Sequence, residues 1–230
     1  MTPECAMVFA AGLGTRMRPL TLSTPKPLVE IGGRTLLDRT LDLLLRAQVP
    51  RAVVNTHHLA EQIALHVKSR ATPKIRLSHE VVLLDTGGGM KHAAPLLGPA
   101  PLLTLNADAI FDGDPMAPLV AQWDAARMEA LLLLVPRERA LSHDGAGDFA
   151  LGPQDRLIRR GRAPSAPFVY TGVQVIRPER IYAWPEEIFS LNPVWDAMIA
   201  EGRAYGAVLD RVWCDVGHLG SLPLAEEMVR

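Results

Sequence analysis

Four side chains in this chain have types and settings suited to phosphate chemistry: Arg16, Lys26, Asp108 and Asp215. Arg16 stands in the run Ala10-Ala11-Gly12-Leu13-Gly14-Thr15-Arg16, directly after an apolar stretch. Small residues there let the backbone approach a ligand, and successive N–H groups form an anion-binding concavity. Arg16 adds a planar donor fork matched to phosphate oxygens. Lys26 lies between Pro25 and Pro27, which restrict its backbone and fix its ammonium at low entropic cost. Asp108 follows the apolar run Leu102 to Leu105, and Asp215 follows Trp213-Cys214. Magnesium takes hard oxygen ligands, commonly one or two carboxylates plus phosphates and waters. Two aspartates from distant strands suit it. Singly, each aspartate reads as readily as a turn or cap residue; beside a phosphate loop the pair reads as a metal site.

The glycine run is neither of the two common phosphate loops. It lacks the Gly-Lys-Ser/Thr ending of a Walker loop. The dinucleotide fingerprint requires a third glycine where Met17 stands, and an acid ending the second strand where Asn55 and Thr56 stand, which argues against a nicotinamide oxidoreductase. Pro19, Pro25 and Pro27 forbid an immediate helix, so an extended segment is expected after Arg16.

The elements that would position these residues alternate through the first 135 positions. Strands are expected at Met7 to Ala11, Ala52 to Thr56, Lys74 to His79, Pro101 to Asn106 and Ala130 to Val135. Helices are expected at Thr35 to Gln48, Ala60 to Ser69, Met90 to Leu97 and Met116 to Met128. Such alternation predicts an α/β, Rossmann-like sheet, mixed but mainly parallel and flanked by helices. Ligands in these folds sit beyond the carboxyl ends of the strands. After Pro136 the pattern turns antiparallel. A hairpin is expected over Asp148 to Leu151 and Arg156 to Arg159, then a strand Phe168 to Ile176, a helix Pro193 to Glu201, a strand within Ala204 to Trp213 and a closing helix Ser221 to Val229. We therefore expect one domain over residues 1–230, with 1–135 binding the nucleotide and 136–230 the sugar phosphate.

Composition narrows the partners. Lys+Arg number 24 against 25 Asp+Glu, so no global positive field exists to neutralise a nucleic-acid backbone. Small anionic ligands are expected instead. The two cysteines, Cys5 and Cys214, have no neighbouring partner and form no disulfide framework or Cys-rich metal site. The apolar start lacks a basic lead-in, and no apolar run is long enough to span a bilayer. A cytoplasmic setting without membrane contact, as a monomer or small homo-oligomer, is the expectation. Adjacent His57 and His58 point different ways along a chain and lack a third ligand, so they read as structural. Asp112 and Asp114 read as a turn and a helix cap before Pro115.

The string from Ala10 to Thr21 with Pro25-Lys26-Pro27-Leu28-Val29 resembles the signature of the sugar-1-phosphate nucleotidyltransferases. The resemblance continues in Asp85-Thr86-Gly87-Gly88-Gly89, Asn106-Ala107-Asp108, Tyr170-Thr171-Gly172-Val173 and Trp213-Cys214-Asp215-Val216-Gly217. It covers nearly the whole chain in order, and its short length and triple glycine are most similar to the N-acetylmuramate α-1-phosphate uridylyltransferase branch. The resemblance implies a glycosyltransferase-A-like fold with a small antiparallel sugar-binding subregion. It implies that Ala11, Gly12, Gly14 and Thr15 line the nucleotide, that Arg16 and Lys26 neutralise the triphosphate and the transferring phosphoryl, and that Glu80 and a Gly87-Gly88 turn sit beside the base. Asn106, Gly147, Thr171 and Gly172 would face the sugar, and Asp108 and Asp215 would hold Mg²⁺. The implied reaction is in-line attack of a sugar 1-phosphate oxygen on the α-phosphorus of a nucleoside triphosphate, UTP favoured, with loss of pyrophosphate. Such chemistry needs positioning and charge stabilisation, and the attacking anion needs no general base.

Three departures stand out. Ala107 replaces a frequent glycine, His218 follows Gly217 where threonine is usual, and Ala163 to Pro167 stands where many relatives carry Glu-Lys-Pro with its lysine on the sugar phosphate. The sugar phosphate must find another cation, or share Arg16 and Lys26. Guanylyl transfer to mannose or heptose phosphate is the nearest rival reaction. A regulatory domain that binds a sugar nucleotide without turnover is the rival of a different class, and the presence of all four charged residues argues against it.

Overall fold

The computed structural model describes residues 2–230. A nine-stranded sheet forms its centre. Strands β1 (Cys5–Phe9), β4 (Arg51–Thr56), β5 (Lys74–His79) and β6 (Leu102–Asn106) run parallel, in the spatial order β5-β4-β1-β6. Beyond β6 lie β12 (Phe168–Ile176), antiparallel to both neighbours, then β8 (Ala130–Pro136) and β13 (Ala204–Val208), which are parallel to each other. The hairpin β10 (Phe149–Leu151) and β11 (Leu157–Arg159) extends the sheet from the start of β12. The expected mainly parallel sheet and antiparallel second part are therefore both present.

Apolar residues on both faces of β1 dictate helices on both sides. Ala6 and Val8 pack with Leu37, Leu41 and Leu44 of helix α1 (Leu36–Arg46), while Met7 faces Met90, Leu97, Val194 and Met198. The first three leucines recur at helical spacing and are fully buried. Each contributes about 1.5–3 kcal/mol relative to exposure. Thr35 caps α1, its hydroxyl accepting from Asp38 N at 3.0 Å and donating to Asp38 Oδ2 at 2.9 Å. The opposite face is covered by α3 (Asp85–His92), α4 (Ala94–Leu97), α6 (Glu179–Tyr182) and α7 (Asn192–Ala200).

Two small sheets flank this core. β2 (Glu30–Ile31) and β3 (Arg34–Thr35) form a hairpin before α1. β14 (Trp213–Asp215) lies between β7 (Ala109–Phe111), antiparallel, and β9 (Ala140–Leu141), parallel. Helices α2 (Ala60–Val67), α5 (Met116–Gln122) and α8 (Leu222–Met228) complete the chain. No helix among the described residues is long and apolar enough to cross a membrane.

Several expectations need correction. The stretch after Arg16 is not extended: Thr15–Met17, Leu20–Leu22 and Lys26–Leu28 are each a single 3-10 turn. Proline's fixed φ suits such turns, and short pieces are where this helix is used. The helix expected from Met90 begins at Asp85 and takes in the three glycines, because all three are buried where side chains would collide with neighbours. The helix expected to reach Met128 stops at Gln122. Asp124 then caps the next turn, its Oδ1 accepting from Ala126 N at 2.9 Å. The Ala204 to Trp213 stretch holds one strand and leads into another, β14, which pairs with a different sheet.

Candidate active site

The parallel strands β1, β4, β5 and β6 end on one edge, and a cleft of about 510 Å³ opens there. Its lining includes Ala11, Gly12, Asn55, Glu80, Asn106 and Asp108. Across it stand Leu83, Thr86 and Ile188. The glycine loop leaves β1 directly into this cleft. Gly14 adopts φ +60, and a Cβ there would fall 2.9 Å from Thr21 Cγ2 and 3.1 Å from Lys26 Cβ. The loop thus folds back so that the segment bearing Lys26 packs against it. Thr21 Oγ1 donates to Gly14 O at 2.7 Å, and Met17 N donates to the same carbonyl at 2.9 Å.

Loop and acids are joined by one apolar cluster. Met17 of the loop, Ile110 of β7, and Cys214 and Val216 at β14 are buried together with Ile31, Leu36 and Ala225. The first four lie within two residues of Arg16, Asp108 or Asp215, so packing carries these three charges toward one another. The β7–β14 ladder sets the acids side by side: Asp215 pairs with Ala109, and Val216 N donates to Asp108 O at 2.9 Å. Lys26 Nζ donates to Asp108 Oδ2 at 2.7 Å, with the lysine side chain only 12% exposed. A Cβ on Gly217 would lie 2.9 Å from both Arg16 Nη2 and Asp215 Oδ2. Glycine at 217 therefore allows the guanidinium and the carboxylate to share that corner. Burial, and then the charge of Asp108, push the Asp215 carboxyl above its ordinary range, against the pull of Lys26, Arg16 and His143. Two acids and two cations thus converge at the strand ends, an arrangement able to hold a polyphosphate and a hard cation.

A buried polar relay fixes the other end of the cleft. Asn55 Oδ1 accepts from Ala10 N at 2.7 Å, and its Nδ2 donates to Glu80 Oε1 at 2.7 Å. Glu80 Oε2 accepts from Leu84 N at 3.1 Å. Glu80 is 1% exposed, so its carboxylate is held by protein donors at the cleft lining. Gly87 and Gly88 lie within helix α3 and not in a turn. Their N–H groups donate to Phe189 O at 2.9 and 3.0 Å, and side chains there would meet Phe189 and Glu187 O. They bring the loop before α7 down onto α3.

The residues expected on the sugar divide in two. Gly172, at φ +83 in a bulge of β12, lies against Asn106; a Cβ would be 2.7 Å from Asn106 Cγ. Asn106 lines the cleft. The Thr171 hydroxyl is buried and donates to Leu133 O at 3.0 Å. Gly147, at φ +85, packs on Ala166 O, where a Cβ would fall at 2.2 Å. His57 Nδ1 and His58 Nε2 are paired with Glu80 O and Thr21 O, which makes both structural. Cys214 is fully buried, its thiol pushed up to about 11 mainly by burial. Asp114 Oδ1 accepts from Met116 N, the capping role expected of it.

Three residues near the site escaped the sequence reading: Asn55 as the loop's anchor, His143 and Arg159. His143 lies beside Trp213, with ring centroids 6.0 Å apart, and its Nε2 is buried without a partner among the described residues. His218 Nε2 pairs with Ser142 Oγ at 3.0 Å, tying that segment to the chain after Asp215.

Residues 5–143 match the family model described as nucleotidyl transferase. The chain belongs to that family. It is 42% identical over 224 residues to the N-acetylmuramate alpha-1-phosphate uridylyltransferase of Caulobacter vibrioides, covering 94% of this chain and 92% of that one. It is 34% identical to the protein of the same name from Neisseria meningitidis serogroup B, covering 97% of each. Among solved structures, the inositol-1-phosphate CTP transferase from T. maritima superposes with a TM-score of 0.80 at 18% identity, over 100% of this chain and 96% of that one. At that identity the likeness speaks for the fold alone. This nucleotidyl transferase is therefore an enzyme with a glycosyltransferase-A-like fold, and its cleft is placed where such sheets bind ligands.

Proposed function

We propose that this nucleotidyl transferase moves a uridylyl group from UTP to N-acetylmuramate α-1-phosphate, giving the UDP-sugar and pyrophosphate. The observation that carries this reading is the convergence of Lys26, Arg16, Asp108 and Asp215 at the end of a cleft that begins at the glycine loop. The choice of base and sugar follows the two relatives that match nearly end to end.

In this reading the N–H groups from Gly12 to Thr15 receive the phosphates, and Arg16 and Lys26 supply matching positive charge. A phosphate oxygen of the sugar attacks the α-phosphorus, its lone pair forming the new P–O bond. The bond from the α-phosphorus to the β-phosphate oxygen breaks, and pyrophosphate leaves with that electron pair. Lys26, already placed on Asp108, is within reach of the charge that develops. The donor set fits Mg²⁺: two hard carboxylates stand together, Asp215 raised by burial and then by the charge of Asp108, and a shared cation would stabilise such a pair. Asp108 and Asp215 would hold it, and when bound it would offset charge on the phosphates. His57 and His58 spend nitrogens on backbone carbonyls, and no group of three His, Cys, Asp or Glu among the described residues forms a competing metal cluster.

The test is pyrophosphate release with each of the four nucleoside triphosphates against a panel of sugar 1-phosphates, with and without Mg²⁺. Turnover is expected with UTP and N-acetylmuramate α-1-phosphate, dependent on Mg²⁺ and abolished in Asp108→Ala. Equal or absent turnover across all pairs, or near wild-type activity in Asp108→Ala, refutes it.

A further inference from the structure

We propose that Arg159 is a specificity-determining residue that reads a carboxylate carried on the sugar, the group that distinguishes N-acetylmuramate 1-phosphate from N-acetylglucosamine 1-phosphate. This rests on the substrate reading above and extends it to a residue outside the phosphate machinery.

A second bay of about 380 Å³ borders the cleft, with Asp85 and Thr86 lining both. Asp148, Tyr170, Asn192 and Trp195 line it, and Arg159 is the one cation among its lining residues. The β10–β11 register places Arg159 opposite Phe149. Its guanidinium carbon lies 4.9 Å from the Phe149 ring centre and 5.6 Å from that of Trp195. The cation thus sits against two aromatic rings, which hold the guanidinium in place by cation–π attraction. Nε donates to Asp196 Oδ1 at 2.7 Å and Nη2 to Asn192 O at 3.0 Å, while Nη1 has no partner among the described residues.

The other charges of the bay are acids, and each is already engaged. Asp85 Oδ1 accepts from its neighbour Thr86 N, and Asp148 Oδ2 accepts from Tyr170 N at 2.9 Å. Their remaining oxygens can accept from sugar hydroxyls and repel an anion, so Arg159 is the bay's one attraction for a carboxylate. Asp196 is 60% exposed on the rim, and an exposed ion pair of this kind is weak. An incoming carboxylate therefore meets a guanidinium held against two aromatic rings, with a free Nη1 and a readily exchanged partner. Charge-assisted, planar recognition of this type separates a sugar bearing an acid from one with a hydroxyl in its place.

The experiment compares kcat/KM for N-acetylmuramate 1-phosphate and N-acetylglucosamine 1-phosphate at saturating UTP, in wild type, Arg159→Gln and Arg159→Lys. Wild type is expected to favour the acidic sugar. Arg159→Gln should lower the ratio of the two kcat/KM values about 10- to 100-fold, and Arg159→Lys should recover part of it. Asp196→Asn, which frees the fork, should keep or raise the ratio. If Arg159→Gln lowers turnover of both sugars equally, Arg159 only packs the bay and the proposal is overturned. An unchanged ratio overturns it too. A wild type that turns over other sugar phosphates but not N-acetylmuramate 1-phosphate overturns the substrate reading and this proposal together, whereas a selective wild type with an equally selective Arg159→Gln overturns this proposal alone.

Discussion

Asn55→Ala should be among the most damaging single changes available in this chain, although Asn55 touches none of the four charged residues. Its amide satisfies two groups with almost no access to water: the N–H of Ala10, 3% exposed, and the carboxylate of Glu80, 1% exposed. Removing the amide leaves both without that partner. An unsatisfied buried donor costs about 1–3 kcal/mol, and a charged acceptor more. Glu80 keeps one bond, from Leu84 N, so the sum comes to about 3–5 kcal/mol. That is a large part of the roughly 5–15 kcal/mol that holds a domain folded. Urea unfolding should show a lower midpoint with an unchanged slope. Asn55→Asp should fare no better, since it keeps the acceptor for Ala10 but sets a second carboxylate against Glu80. In the double mutant Asn55→Ala/Glu80→Ala the buried charge is gone, so the loss should fall short of the sum of the single losses by roughly 1–2 kcal/mol. A loss below about 1 kcal/mol in Asn55→Ala, or strict additivity in the cycle, would refute the relay as a stabilising unit.

Two further outcomes are expected. Lys26→Met should lower kcat about 10²–10³-fold with little change in melting temperature, read by steady-state kinetics beside a circular-dichroism melt; activity within ten-fold of wild type would place Lys26 off the phosphates. Glu129 is held below the ordinary carboxylate range, chiefly by its hydrogen bond to Arg180. Its contribution is present above the ordinary carboxylate range and is lost as pH falls through the depressed folded value. Glu129→Gln should therefore cost about 1–2 kcal/mol at neutral pH, discounted for partial exposure, and the gap to wild type should close in acid.

Most of the parallel half of the fold is legible because β1, β4 and β6 are buried on both faces and read as apolar runs, as in Met7-Val8 and Leu102-Leu103, while the edge strand β5 shows itself by alternation. Lys74–His79 and Phe168–Ile176 appear with the bounds expected of them. Asp108 stands out because it follows such a run, and Asp215 because it closes the short apolar strand β14. What the pattern conceals is tertiary. Nothing in Asp85-Thr86-Gly87-Gly88-Gly89 signals a helix, since three glycines carry a poor intrinsic propensity; close packing against Phe189 and Glu187 overrides it. Asn55 looked like a reason to exclude one cofactor, and its role appears only when Ala10 and Glu80 arrive from elsewhere in the chain. The inward turn of Thr171 depends on a bulge that one strand's sequence does not announce.

The small sheet of β9, β14 and β7 has a consequence for how this enzyme can vary. Because Asp215 pairs with Ala109 and Val216 N is bonded to Asp108 O, the placing of the two acids relative to each other is a property of backbone pairing. The loops between Phe111 and Trp213 can then lengthen or shorten while the acids keep their span. Evolution could retune what is accepted on the far side of the cleft without recalibrating the place where the phosphates meet.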